Sequence, residues 1–386
     1  MRRMYFCLIV FLVLMTSQLQ GTTRLGGKGL IYVHSAKVIS KGYLEFYAGT
    51  RYFGKIASSG SKPYTLWNVQ GFSSFNVGIS SHIEFALSPI YYQDTNNSKG
   101  NILHGKANLP DDLFISMKVG SLGPLESPFL FGGILSARIP TAKTHNIIYE
   151  PYSAGTIEAE VTGLVSYYSN IVFPEEGWSL HCNVGYLNHN DVGKNLTGNA
   201  NDPTPKSMSS EILFGMGLLY PAGSFDFSVE FNARAFLTQP PATAYSREYV
   251  SYLTTGVYYK PYPWVTLEMG IDLRLLSGED VSDYQNTHLP KPPVDFPNYP
   301  TWRGLLGAKL AILPTRLYSS PDKVLLEKSA EDRKEILERI IKGQKDTQDA
   351  DSELLKIRAE RKKVEEELKR LRKLLEEEKK KKKKEE

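Results

Sequence analysis

From about residue 43 to residue 313, apolar and polar side chains alternate with a period of two, the spacing that sends successive side chains to opposite faces of a β-strand. The pattern predicts twelve strands, at 43–53, 67–79, 82–92, 112–121, 129–139, 155–169, 177–188, 209–220, 224–236, 249–259, 264–276 and 302–313. The connectors between them alternate between short, as at Ser80–Ser81, Pro221–Gly223 and Lys260–Pro263, and long, at 54–66, 93–111, 140–154, 189–208, 237–248 and 277–301. An even number of antiparallel strands with tight turns on one rim and long loops on the other is the connection pattern of a β-barrel threaded through a membrane, and it returns both chain ends to the turn side. The expected fold is therefore all-β, an antiparallel up-and-down transmembrane barrel over 43–314.

Alternation alone does not separate a membrane barrel from a soluble one, so the position of charge has to decide. In 224–236, Phe225, Phe227, Val229, Phe231 and Ala233 alternate with Asp226, Ser228, Glu230, Asn232 and Arg234; in 264–276, Val265, Leu267, Met269, Ile271 and Leu273 alternate with Thr266, Glu268, Gly270, Asp272 and Arg274. A long, purely apolar face suits lipid, and mid-strand charges of both signs on the other face suit a wet or ion-paired interior. By the same alternation Glu45, Arg51, Glu84, Lys118, Arg138, Glu158, Glu160, Glu230, Arg234, Glu268, Asp272, Arg274 and Lys309 point inward. They line a narrow aqueous pore or pair into a network that closes the barrel. The mixed signs argue against strong ion selectivity. Trp67 and Trp302 fall at strand ends beside long loops, and Trp178 and Trp264 beside short turns, which places two interfacial tryptophans on each rim.

Charge divides the chain further. Of 46 Lys+Arg and 42 Asp+Glu, 22 and 19 fall between Pro321 and Glu386, so the region before the tail is charge-poor. In the tail the apolar period lengthens. Leu354, Ile357, Arg361, Val364, Leu368, Leu371 and Leu375 are spaced three and four in turn, a coiled-coil seam with one polar position, in a 321–386 segment that ends in the lysine run Lys379–Lys384. Self-association, a periplasmic partner and contact with cell-wall polymer are the partners such a tail would have, and nucleic acid is not expected on a secreted chain. At the other end Arg2 and Arg3, the apolar run Met4–Met15 and the polar stretch to Gly21 read as a signal peptide over 1–21, leaving 22–42 as an N-terminal periplasmic segment. Removal of the signal takes Cys7 with it and leaves Cys182 alone, which excludes an intrachain disulfide.

Candidate chemistry is sparse. No phosphate loop, dinucleotide fingerprint or zinc-ligand spacing is present, and the acidic residues around Asp191 and Asp202 match no calcium loop, so no cofactor and no metal are expected. Ser179 and His181 share a strand face, but that face turns inward, away from lipid, so neither is expected to be catalytic and no enzyme activity is expected. The phrases Gly29–Ala36 (GLIYVHSA), Lys41–Glu45 (KGYLE), Arg138–Ala142 (RIPTA) and Asn183–Asn190 (NVGYLNHN) resemble those of bacterial outer-membrane β-barrel proteins of the porin and OmpA-like kind, a likeness that spans roughly 26–313. The resemblance implies an outer-membrane location, with outer-membrane lipid around the barrel and the tail in the periplasm. It implies a passive channel for small solutes, or a closed barrel anchoring the tail to a partner or the cell wall. A barrel phospholipase would need Ser179 and His181 to meet lipid.

Overall fold

The computed structural model describes residues 22–59, 62–97, 100–101, 108–124, 127–171, 174–291, 298–314 and Lys362. The chain divides into two compact units, Met1–Leu325 and Leu326–Glu386. The expected signal peptide and every residue of the expected coiled-coil seam lie outside the described residues.

Among the described residues thirteen strands follow in order: β1 (Leu44–Ser59), β2 (Lys62–Gly78), β3 (Ile83–Asn97), the two-residue β4 (Gly100–Asn101), β5 (Leu113–Leu122), β6 (Phe129–Ile139), β7 (Glu158–Tyr168), β8 (Ser179–Asn188), β9 (Ser210–Ala222), β10 (Phe225–Thr238), β11 (Val250–Tyr262), β12 (Val265–Ser277) and β13 (Trp302–Leu313). Strand β4 pairs only with the end of β3. The other twelve pair antiparallel with their sequence neighbours, and β1 closes onto β13 from Leu44↔Leu313 to Tyr52↔Gly304. Closure of β1 on β13 joins the two end strands of the sheet, which matters in a bilayer because no water is there to satisfy an unpaired backbone group.

One connector differs from expectation. Within the segment 54–66, expected as a long loop, residues 54–59 and 62–66 are strand: the β1–β2 register runs unbroken from Leu44↔Val77 to Ser59↔Lys62. Ile56 and Thr65 are strand-forming types, and they pair directly across the hairpin. Strand β3 likewise continues to Asn97. As a result Trp67 does not end a strand; it lies within β2, opposite Gly54 and Asn96.

The outer surface is the apolar side of the alternation. Phe227, Val229, Leu267, Met269 and Ile271 are exposed, while Asp226, Ser228, Glu230, Glu268 and Asp272 between them are buried. A continuous exposed band of this kind is unstable in water and stable in lipid. Aromatic pairs lie near the strand ends. Tyr262 stacks on Trp264 with centroids 5.7 Å apart, and Trp178 lies against Tyr167 at 5.2 Å. Trp302 contacts Phe53 at 5.7 Å under the long loops.

The N-terminal segment departs most from expectation. Residues 22–42, expected as a periplasmic segment, run into the barrel, and Leu30, Ile31 and Val33 are fully buried there against Tyr47, Phe72, Tyr258 and Leu305. The segment has no strand period because it makes no ladder. Its backbone bonds to itself in turns, as from the Leu30 N–H to the Val33 carbonyl, and to inward-facing side chains of the wall. Gly26 and Gly27 make its tight turn at φ 92° and 88°, and a Cβ on Gly26 would stand 2.6 Å from Ser88 Oγ. The wall is cut to fit as well: a Cβ on Gly217 of β9 would stand 2.5 Å from Leu30 Cδ1.

Candidate functional site

None of the thirteen charges assigned inward by alternation is exposed. They do two different things. Toward the short turns they hold the N-terminal segment. Glu230 on β10 accepts three successive backbone N–H groups, from Ile31 through Oε1 and from Tyr32 and Val33 through Oε2, each at 2.8 Å. Glu84 on β3 accepts the N–H of Lys28 at 2.8 Å and of Ile39 at 2.7 Å, and faces Lys118 Nζ at 3.2 Å. Lys118 in turn donates to the carbonyl of Lys28 at 2.8 Å. Neutral side chains extend the pattern. Asn183 accepts from the N–H of His34 at 2.7 Å and donates to its carbonyl at 2.9 Å, while Asn76 accepts from Gly27 at 2.7 Å and Ser166 from Ala36 at 2.8 Å. Glu45 accepts from Thr22, and lies 3.7 Å from Lys309. Glu268 accepts from Tyr47 at 3.0 Å.

Toward the long loops the charges pair with one another. Arg51 donates through Nη2 to both oxygens of Glu150, at 2.9 and 2.8 Å; Arg138 reaches Asp112 at 2.7 Å and Glu158 at 3.4 Å; Arg234 reaches Glu211 at 2.5 Å and Arg303 reaches Asp272 at 2.9 Å. Arg274 donates to the carbonyl of Tyr299 at 2.8 Å. His189, just past the end of β8, bridges Glu158 at 3.1 Å through Nδ1 and Glu211 at 3.0 Å through Nε2. Burial disfavours its charged form, but two accepting carboxylates outweigh burial and push its pKa up to about 9. Glu150, in the β6–β7 loop, is held below the usual carboxylate range: burial would raise it, and Arg51, Arg24 and Arg303 together lower it.

The long loops pack over this end. Ile148 and Tyr149 of the β6–β7 loop, Tyr245 of the β10–β11 loop and Leu289 of the β12–β13 loop form one buried cluster with Phe53 and Leu66 of the projecting hairpin. Asn146 ties two of these loops, accepting from the Tyr245 N–H at 2.8 Å and donating to the Thr243 carbonyl at 3.0 Å. Between the N-terminal segment and the loops remains a cavity of about 310 Å³, lined by Arg24 and Tyr32 from the segment, Arg51 and Arg303 from β1 and β13, and Glu160 and Arg234 from the far wall, among others.

Ser179 and His181 are together, and occupied. His181 takes Ser166 Oγ at 2.7 Å on Nδ1 and Ser179 Oγ at 3.0 Å on Nε2, with Ser166 also accepting from the N–H of Ala36. The arrangement fixes a buried imidazole against the N-terminal segment and turns no nucleophile toward lipid. The lumen is also shaped by charged residues beyond the thirteen expected from sequence: Arg24, Asp112, Glu150, Glu211, Asp226, Lys260 and Arg303. Glu211, Asp226, Lys260 and Arg303 obey the same alternation as those thirteen, and Asp112, directly before β5, is in phase with Lys118; Arg24 and Glu150 lie outside any strand, where alternation has no reach.

A closed antiparallel barrel with a lipid-facing apolar surface and a polar, charged interior is a transmembrane β-barrel of the outer-membrane kind. No family model matches the sequence, and no curated protein does. Solved structures with similar architecture include the COG4313 outer membrane channel from Pseudomonas putida F1, at 10% identity and TM-score 0.45 over 72% of this chain and 98% of that one. The NanC porin aligns at 10% identity and TM-score 0.42 over 69% and 98%. The translocator domain of autotransporter NalP from Neisseria meningitidis aligns at 9% identity and TM-score 0.37 over 70% and 89%.

Proposed function

We propose that this chain is an outer-membrane channel for small solutes, held shut by its own N-terminal segment, with the short turns and the tail on the periplasmic side. The observation that carries the reading is the internal cavity of about 310 Å³ with its paired charges, roofed by loops and floored by residues 24–34. A barrel that served only to anchor a tail has no use for a charged interior space. The floor is attached by contacts that water can replace: carboxylate, amide and hydroxyl groups on the wall holding backbone N–H groups of the segment. Withdrawal of the segment removes the floor and exposes the polar wall groups that hold it.

The test is conductance in planar bilayers of the full chain and of a form lacking residues 22–40 behind the same signal. The full chain is expected to be silent or to open briefly, and the deletion to give sustained conductance. A deletion form that folds into the membrane and stays silent would sink the channel reading. It would favour the second one, a closed barrel that anchors the tail to a partner or the cell wall, which draws support from the filled turn-side half of the lumen.

A further inference from the structure

The cavity is unevenly charged. On one wall Arg24, Arg51 and Arg303 converge around Glu150, and Arg303 is also paired with Asp272. Three guanidinium groups therefore share two carboxylates, and Arg24 is the one in excess. It donates through Nη2 to the neutral Gln70 and sits 5.5 Å over the ring of Phe72, and neither contact offsets its charge. The Nε–H groups of Arg24 and Arg51 are buried without an acceptor among the described residues. A buried donor in that state costs about 1–3 kcal/mol. The walls beside the arginines are aromatic and aliphatic: Tyr32, Ile90, Phe114 and Tyr252.

We propose that this cavity is a binding site for one small organic carboxylate with a compact apolar body, its anionic end received by Arg24 and Arg51 and its body lying against Tyr32, Phe114 and Tyr252. A carboxylate supplies what the site lacks, a negative charge and acceptors for two orphaned N–H groups. Guanidinium groups match carboxylates in shape as well as charge. The volume is at the small end of ligand pockets, which sets an upper size near a single ring with a short substituent. The far wall restricts the ligand further. Glu160 lines the cavity with only Thr162 bonded to it, at 2.6 Å, and no cation lies within 4 Å of it among the described residues, so a second anionic group on the ligand would be repelled. Binding requires no passage through the barrel, so the inference stands or falls independently of the channel reading.

Calorimetric titration of the full chain in detergent micelles with acetate, butyrate and benzoate, and with neutral benzamide as the shape control for benzoate, tests it. The expected result is one site per chain for butyrate or benzoate, with benzamide at least tenfold weaker. Arg24→Gln should weaken the carboxylate by roughly tenfold or more, the loss of one charge-assisted hydrogen bond, and leave benzamide unchanged. Arg24→Lys keeps the charge and should recover part of the affinity, which covers the case in which the Gln variant does not fold. Absence of any carboxylate binding tighter than about 1 mM, equal binding of benzoate and benzamide, or an unchanged affinity in both Arg24 variants overturns the proposal.

Discussion

The two halves of the lumen are built from the same alternating wall yet end in opposite states. Near the short turns, Glu84, Glu230, Asn183 and Ser166 accept hydrogen bonds from backbone N–H groups of residues 28–39, and that segment occupies the space between them. Near the loops, Arg51, Arg138, Arg234 and Arg303 are matched by Glu150, Asp112, Glu211 and Asp272, and a cavity remains. The difference lies in the type of partner. A wall carboxylate that receives backbone N–H groups fixes a whole segment of chain, whereas one that receives a side chain from a neighbouring strand, as Asp272 does from Arg303, fixes only that side chain. Inward polarity by itself therefore says nothing about whether a barrel is open.

The sharpest way to break the comparison is at Glu230. Glu230→Ala leaves the N–H groups of Ile31, Tyr32 and Val33 buried without acceptors, at about 1–3 kcal/mol each. The expected outcome is release of the segment while the barrel stays closed by its strands. Labelling of a cysteine placed at Val33 in a Cys182→Ser background should accelerate by about a hundredfold or more over the same pair with Glu230 intact. An unchanged rate would mean that the apolar seat of Leu30, Ile31 and Val33 holds the segment without the carboxylate.

The loop-side half should respond to pH instead. His189 has a folded pKa of about 9, above its unfolded value, so its contribution to stability is fully present below about pH 6.5 and is lost as pH rises through 9. A shift of that size corresponds to about 3 kcal/mol. Thermal unfolding measured from pH 6 to 10 should show this decline, and His189→Gln should flatten it. A decline of equal size in the variant would assign it to other groups.

Much of the wall was legible in sequence and the filling was not. The strands from β5 to β13 follow the alternation within a few residues because burial of one face and lipid on the other select side chains at every second position, as in Phe225–Arg234. The β1–β2 hairpin extends further than the pattern because strand-forming residues such as Ile56 and Thr65 continue its pairing. The N-terminal segment escaped because its polar partners are on other elements: Leu30, Ile31 and Val33 form an apolar run with no period, and nothing local tells that Glu230, about two hundred positions on, will bind their N–H groups. Arg24 and Glu150 were hidden for the same reason. Arg303, by contrast, stood in plain view on β13, on the same inward register as Lys309.

The smallest expected effect tests whether the two halves are also insulated from each other. Ser179 bonds only the far ring nitrogen of His181, whose other nitrogen meets Ser166, the acceptor of the Ala36 N–H. Ser179→Ala removes one neutral hydrogen bond and should cost about 1 kcal/mol. The pull passes through one imidazole to the N-terminal segment and reaches no residue of the Arg51–Glu150 or His189 groups. Cysteine labelling at position 33 should therefore rise by less than tenfold, far below the effect of Glu230→Ala, and the pH dependence set by His189 should be unchanged. A shift in that pH dependence would show that the filled half and the hollow half are coupled through the wall, and that the lumen responds as one body.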